Sequence, residues 1–216
     1  MKRKYTNFAM MANLRTYIEE HIIPRYDSFD AAHRRDHVNY VITASLELAR
    51  HYDVDESMVY AIAAYHDTGL AVDRKTHHLE SGRIVRQDSM LRRWFTPEQI
   101  EVMAQAVEDH RASSDHEPRS IYGKIVAEAD RQIDVQTIMR RTIQYGLSHY
   151  PELDREEQWQ RTLNHLLEKY AEGGYLRLWI PESPNAASLK QLQSLIKDRR
   201  SLRALFDELY PQLLID

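Results

Sequence analysis

Hydrophobic residues recur every three or four positions along nearly the whole chain, and strand-like alternation is almost absent. Only six glycines interrupt the 216 residues. A chain patterned in this way buries its apolar stripes by packing helix on helix, so the expected fold class is all-α. Leu14, Ile18 and Ile22-Ile23 mark a first helix ending near Pro24, and Val38, Val41-Ile42, Leu46 and Ala49 mark a second. Val59, Ile62-Ala63 and His66 share one face of a third, with Asp55 as its cap and Gly69 letting the chain turn away. A fourth helix is predicted over Thr76 to Arg86. Thr96-Pro97-Glu98-Gln99 then reads as a capping box with proline at the first helical position.

Ile100, Met103, Val107 and His110 follow on one face of the next helix. Ile121, Ile125 and Ala129 lie beside Asp130 in a helix predicted to run on through Ile133 and Ile138 toward Leu147. Two further stripes, Trp159–Tyr170 and Leu189–Leu209, complete the pattern, the second interrupted near Asp198. Between them, GGYLRLWIPESPN is the least regular segment, and Tyr175 and Trp179 within it are expected to pack on the core or cover a site entrance. The expected organisation is a helix over 1–27 packing on the domain, a helical core over 28–150, and a helical extension of the same domain over 151–216.

Composition narrows the chemistry. There is no cysteine, which rules out disulfides, thiolate metal sites and cysteine nucleophiles, so any transition metal must be held by nitrogen and oxygen. A formal net charge of −4 argues against a dedicated nucleic-acid partner. No apolar run approaches the ~18 residues of a membrane span, and the basic start lacks the apolar region and cleavage site of a secretory signal. A cytoplasmic protein without a membrane partner is the expectation; a homodimer is compatible with it.

Eleven histidines make position the deciding question. His66-Asp67 ends an apolar helical run, with His37 upstream and Asp130 downstream on their own predicted helices. Imidazole nitrogens and carboxylate oxygens suit one or two ions of Mn, Fe, Ni, Co, Zn or Mg. Each group also has a plainer reading: His37 as a solvated residue of a polar helix start, His66 as a satisfied core histidine, Asp67 as a cap, and Asp130 as the partner of Arg131 or Arg35. Asp130 stands among apolar neighbours, where a carboxylate needs a cation or several donors to stay charged. His78 and His110 form a second group, either completing a second metal site with Asp67 as bridge or serving acid–base work. His116, in the polar loop after His110, is read as solvent-exposed. Arg35, Arg74, Lys75, Arg111 and Lys124 are the candidate phosphate contacts, and Tyr65, Tyr175 and Trp179 the candidate base-stacking aromatics.

The ordered set RRDHVNYV with His37, YHDTGL with His66-Asp67, and IVAEAD with Asp130 resembles the HD superfamily of metal-dependent phosphohydrolases. HHLESGRIV and AVEDH look like the histidine-bearing elements of members with additional ligands. The resemblance covers residues 28 to 135 and implies a helical bundle with the site at its centre. It also implies His37, His66, Asp67 and Asp130 as core ligands, with His78 and His110 as the extra pair, and a small phosphorylated substrate. A few members of the superfamily are oxygenases. Thr68-Gly69-Leu70 lacks the acidic pair typical of guanosine tetraphosphate hydrolases and the glutamate usual in small deoxynucleotidases. RASSDHEP lacks the Gly-Tyr-Pro signature of cyclic-dinucleotide phosphodiesterases. The nearest fit is the broad group of small HD hydrolases.

Overall fold

The computed structural model describes residues 2–29, 33–114 and 116–214, with residues 2–10 described by their helical backbone alone. Among these residues there are ten α-helices and no strand. None of the helices is long and apolar enough to cross a membrane. The chain divides into two compact units, Met1–Arg131 and Gln132–Asp216.

In the first unit, α1 (Lys2–His21) is followed by a 3-10 turn over Ile23–Ser28. The helices α2 (Arg35–Ala49), α3 (Glu56–Tyr65), α4 (His77–Gln87), α5 (Pro97–Glu108) and α6 (Ile121–Asp130) come next. The helix α3 is the hub and packs against α1, α2, α5 and α6. Every residue from Met58 to Tyr65 is buried, which is why this stretch carries no charge. Asp55 caps it as expected, accepting from the Ser57 amide at 2.8 Å. The Thr96–Gln99 capping box forms in full at the start of α5, and Ser120 caps α6. Ile18, Ile22, Val41, Val59, Ile62, Met103, Val107, Ile125 and Val126 form the core. Burying each of these side chains contributes about 1.5–3 kcal/mol.

The second unit comprises α7 (Val135–His149), α8 (Arg155–Tyr170), α9 (Asn185–Lys197) and α10 (Arg199–Leu213). Its core brings Met139, Ile143, Leu166, Leu192, Leu202 and Phe206 together, with Trp159 edge-on to Phe206 at 5.3 Å. Asp198 separates α9 from α10 and caps the latter through the Ser201 amide.

Three expectations need correction. The helix carrying Asp130 stops there instead of running on to Leu147. Arg131 leaves helical geometry at ψ 68°, and Asp134 caps a new helix by accepting from the Thr137 amide. The two compact units meet at 131/132, inside the stretch read as one helix. In the irregular segment between α8 and α9, Leu176 and Ile180 are the buried residues, while Tyr175 is exposed. Gly69 does not supply a left-handed turn either. Among the described residues only Gly173 has a positive φ, and Gly69 serves instead to allow close contact with α4.

Candidate metal centre

The end of α3 is where the buried core becomes polar. His66 is fully buried and Asp67 nearly so. Helix termination leaves backbone groups without partners, and Tyr26 satisfies two of them. Its hydroxyl donates to the Ala64 carbonyl at 3.0 Å and accepts from the Asp67 amide at 3.2 Å. Thr68 closes a third, its Oγ1 donating to the Tyr65 carbonyl at 2.8 Å. No sequence motif announced Tyr26.

His37 from α2 and Asp130 from the end of α6 converge on this turn. The Nε2 atoms of His37 and His66 are 3.2 Å apart. Asp67 Oδ2 stands 3.2 Å from His66 Nε2 and 3.5 Å from His37 Nε2. Asp130 Oδ1 lies 3.2 Å from His37 Nε2 and 3.7 Å from His66 Nε2. The other oxygen of Asp67 belongs to a second cluster: Oδ1 is 3.4 Å from His77 Nε2 and 3.4 Å from His110 Nε2, and those two nitrogens are 3.2 Å apart. The two triads, His37–His66–Asp67 and Asp67–His77–His110, are each positioned to hold a metal ion. Donors around one ion with bonds of about 2.0–2.1 Å stand roughly 3.0–3.4 Å apart, close to the spacings found here.

Hydrogen bonding points the same way. His66 Nδ1 faces the Ala63 carbonyl at 2.7 Å, His110 Nδ1 the Val107 carbonyl at 2.6 Å, and His77 Nδ1 the Arg74 carbonyl at 2.9 Å. Each carbonyl, three residues back along the chain, accepts a hydrogen bond from Nδ1–H, which leaves the Nε2 lone pair aimed at the carboxylates. Lone pairs facing one another beside carboxylate oxygens repel unless a cation lies between them. That requirement is the physical test of the donor set, and a divalent metal meets it. His37 differs, because its buried Nδ1 has no hydrogen-bond partner.

Electrostatics follows from the crowding. Burial opposes the charged form of His37, but Asp130 and Asp67 outweigh it and push its pKa up to about 9. Burial likewise disfavours ionised Asp67 and Asp130, yet the surrounding imidazoles hold both carboxyls well below the usual range. In the second triad, His77 is pushed down to about 4 by burial and by His110. His110 moves up, since Asp67 outweighs its burial.

The expected core ligands, His37, His66, Asp67 and Asp130, are therefore brought together, and His110 joins them. His78 is not in the cluster: its neighbour His77 takes that position. Adjacent residues of a helix are turned by about 100°, so only one of the pair can face Asp67. His116 is exposed, its Nε2 4.0 Å from Asp109 Oδ1. Of the expected phosphate contacts, Arg35 and Lys124 are engaged with carboxylates, Arg35 with Asp27 at 2.5 and 2.6 Å and Lys124 with Glu117. Arg111 spends one N–H on a backbone carbonyl, that of Lys75, at 2.8 Å. Tyr65 is fully buried with its hydroxyl on Asp88 at 2.5 Å, so it is not a base-stacking surface. The pairing of Asp130 with Arg131 or Arg35 is replaced by its contact with His37.

No curated protein and no solved structure matches the chain. The family model of the HD domain matches residues 34–132, a stretch that contains every histidine and aspartate of both triads and Asp130. With the helical bundle, the ordered ligands and this match in agreement, residues 34–132 of the chain form an HD domain.

Proposed function

We propose that this HD domain is a two-ion phosphohydrolase acting on a small phosphate ester, a nucleotide or another phosphomonoester. The observation that carries the reading is the division of Asp67, with Oδ2 turned to His37 and His66 and Oδ1 to His77 and His110. A carboxylate placed in this way suits a pair of cations. Bound divalent ions supply Lewis acidity toward a phosphoryl oxygen and lower the pKa of water. The imidazole-rich donor set suits Mn, Fe, Co, Ni or Zn better than Mg.

The chain's own residues have distinct parts in this scheme. His66, His77 and His110 would hold the ions through Nε2, each ring oriented by the carbonyl at its Nδ1. Asp67 and Asp130 carry the negative charge. This makes His110 a ligand instead of a general acid, because both its ring nitrogens are committed. Asp130 and His77 are the partly exposed members, with side chains 23% and 16% accessible, and mark the side from which substrate approaches. Arg111 uses one N–H on Lys75 and retains others for phosphate oxygens on the His77 side.

The test is metal analysis of the purified protein, followed by phosphate release from nucleotides, phosphosugars and cyclic dinucleotides with Mn, Mg, Co or Ni. Metal-dependent release that is lost in His66→Ala and Asp67→Ala is expected. Release that survives in those variants, or no release across the panel, counts against the reading. The same nitrogen-rich, carboxylate-bridged set also suits a di-iron oxygenase, which would consume O₂ and release no phosphate. A metal-binding scaffold would do neither.

A further inference from the structure

The two triads are built differently. His37, His66 and Asp130 come from α2, the end of α3 and the end of α6, helices that pack on one another directly. His77 instead stands in the first turn of α4, which meets the Asp67 turn through the 3-10 segment Thr68–Ala71. At that meeting the Gly69 amide donates to Ser81 Oγ at 2.8 Å, and both residues are buried. A β-carbon on Gly69 would lie 2.1 Å from the His77 carbonyl oxygen, 2.6 Å from the Ser81 nitrogen and 2.8 Å from Glu80 Cβ. Two of those atoms are backbone, so no side-chain rotation relieves the overlap and the first turn of α4 must move.

The opposite side of α4 cannot easily absorb that movement. A β-carbon on Gly82 would lie 2.5 Å from Glu108 Oε1, showing how closely α4 sits on α5, the helix that leads into His110. Glu108 is itself held by Arg86 and by Arg119, the latter at 2.7 Å. The loop before α4 is pinned as well, through Arg111 and the Lys75 carbonyl. Gly69 is two residues from Asp67, and Ser81 is one turn from His77. This buried contact thus joins the turn that carries Asp67 to the helix that carries His77.

We propose that the Gly69–Ser81 contact is the positioning element of the second seat, setting His77 against Asp67 Oδ1 while leaving the first seat unaffected. Gly69 and Ser81 are positioning residues, since neither offers a donor atom to the centre. The inference rests on the two-ion reading above.

The experiment is Mn²⁺ titration of the full chain by calorimetry and electron paramagnetic resonance, with circular dichroism to establish folding. Wild-type protein should take two ions and show the signal of a spin-coupled pair. His77→Ala provides the single-ion reference. Gly69→Ala should bind one ion with wild-type first-site affinity and lose the coupled signal. Ser81→Ala, which removes only the hydroxyl and carries the test if Gly69→Ala does not fold, should weaken the second ion about 3- to 10-fold and leave the first unchanged. Wild-type binding of both ions in the folded variants would overturn the inference. So would equal weakening of both, which is what a merely structural role produces. A wild-type protein that takes one ion fails the two-ion reading itself, and this inference with it.

Discussion

His77 and His110 face each other through their Nε2 atoms at 3.2 Å, although 33 positions separate them in the chain. Both also lie 3.4 Å from the same oxygen of Asp67. A neutral core has no use for that arrangement, because nothing in it supplies the proton or cation that two imidazole lone pairs and a carboxylate require. The ligand predictions below follow from this requirement.

Chelation should abolish phosphate release, and added Mn²⁺ should restore it. Asp67→Asn, which weakens both seats, should lower turnover by more than about 100-fold, the upper end for loss of an outer partner of a metal ligand. Metal content measured on the same protein should fall for both ions. Unchanged metal content in Asp67→Asn would remove Asp67 from the centre.

Tyr26→Phe deletes the hydroxyl that joins the Ala64 carbonyl to the Asp67 amide. Two buried backbone groups then lose a partner. A loss of about 1–3 kcal/mol in denaturant unfolding is expected. An unfolding midpoint equal to that of the wild type would show that water replaces the phenol.

Asp109 is fully buried and accepts from the Arg119 amide at 2.7 Å and from Arg119 Nε at 2.9 Å. The pair ties the residue before His110 to the segment leading into α6. Asp109→Ala leaves the guanidinium without this partner, but that side chain is 40% accessible and water screens part of the cost. About 2–3 kcal/mol of destabilisation is expected, below the range for a fully buried pair. Thermal unfolding within a degree of wild type would show that the ion pair contributes nothing.

His165 in α8 supplies a pH dependence away from the metal centre. Burial first, and then the charges of Lys169 and Arg161, push its pKa down to about 4. The unfolded chain binds the proton more readily, with a pKa near 6.5, so stability is intact above about pH 6.5 and is lost as pH falls toward 4. After allowance for partial exposure, the loss is about 1–2 kcal/mol. Denaturant unfolding at pH 7 and 4.5 should show this difference shrinking in His165→Gln. An identical pH response in both proteins would rule the histidine out.

Much of the centre was legible in the sequence, because its first seat uses residues at the ends of strongly periodic helices. His66 closes the apolar stripe of α3, and Asp130 breaks that of α6, so each stands out against its own helix. His77 was not legible in this way. The apolar pair Ile84-Val85 is in phase with either His77 or His78, and about 100° of helix rotation separates the two choices. The packing of Gly69 against α4 resolves them, and that is a tertiary contact. The boundary at 131/132 was obscured because Ile133 and Ile138 continue the hydrophobic spacing. The cap at Asp134, followed by Thr137, was the available signal.

Asp67 offers its two oxygens to two different imidazole pairs, and this has a thermodynamic consequence. Cations sharing one carboxylate cannot load independently. Each withdraws electron density that the other would use, and each relieves repulsion among imidazoles that the other also feels. By linkage, whatever the first ion does to the affinity for the second, the second does to the first by an equal factor. The interaction constant between the two ions should therefore be the same whichever seat is filled first.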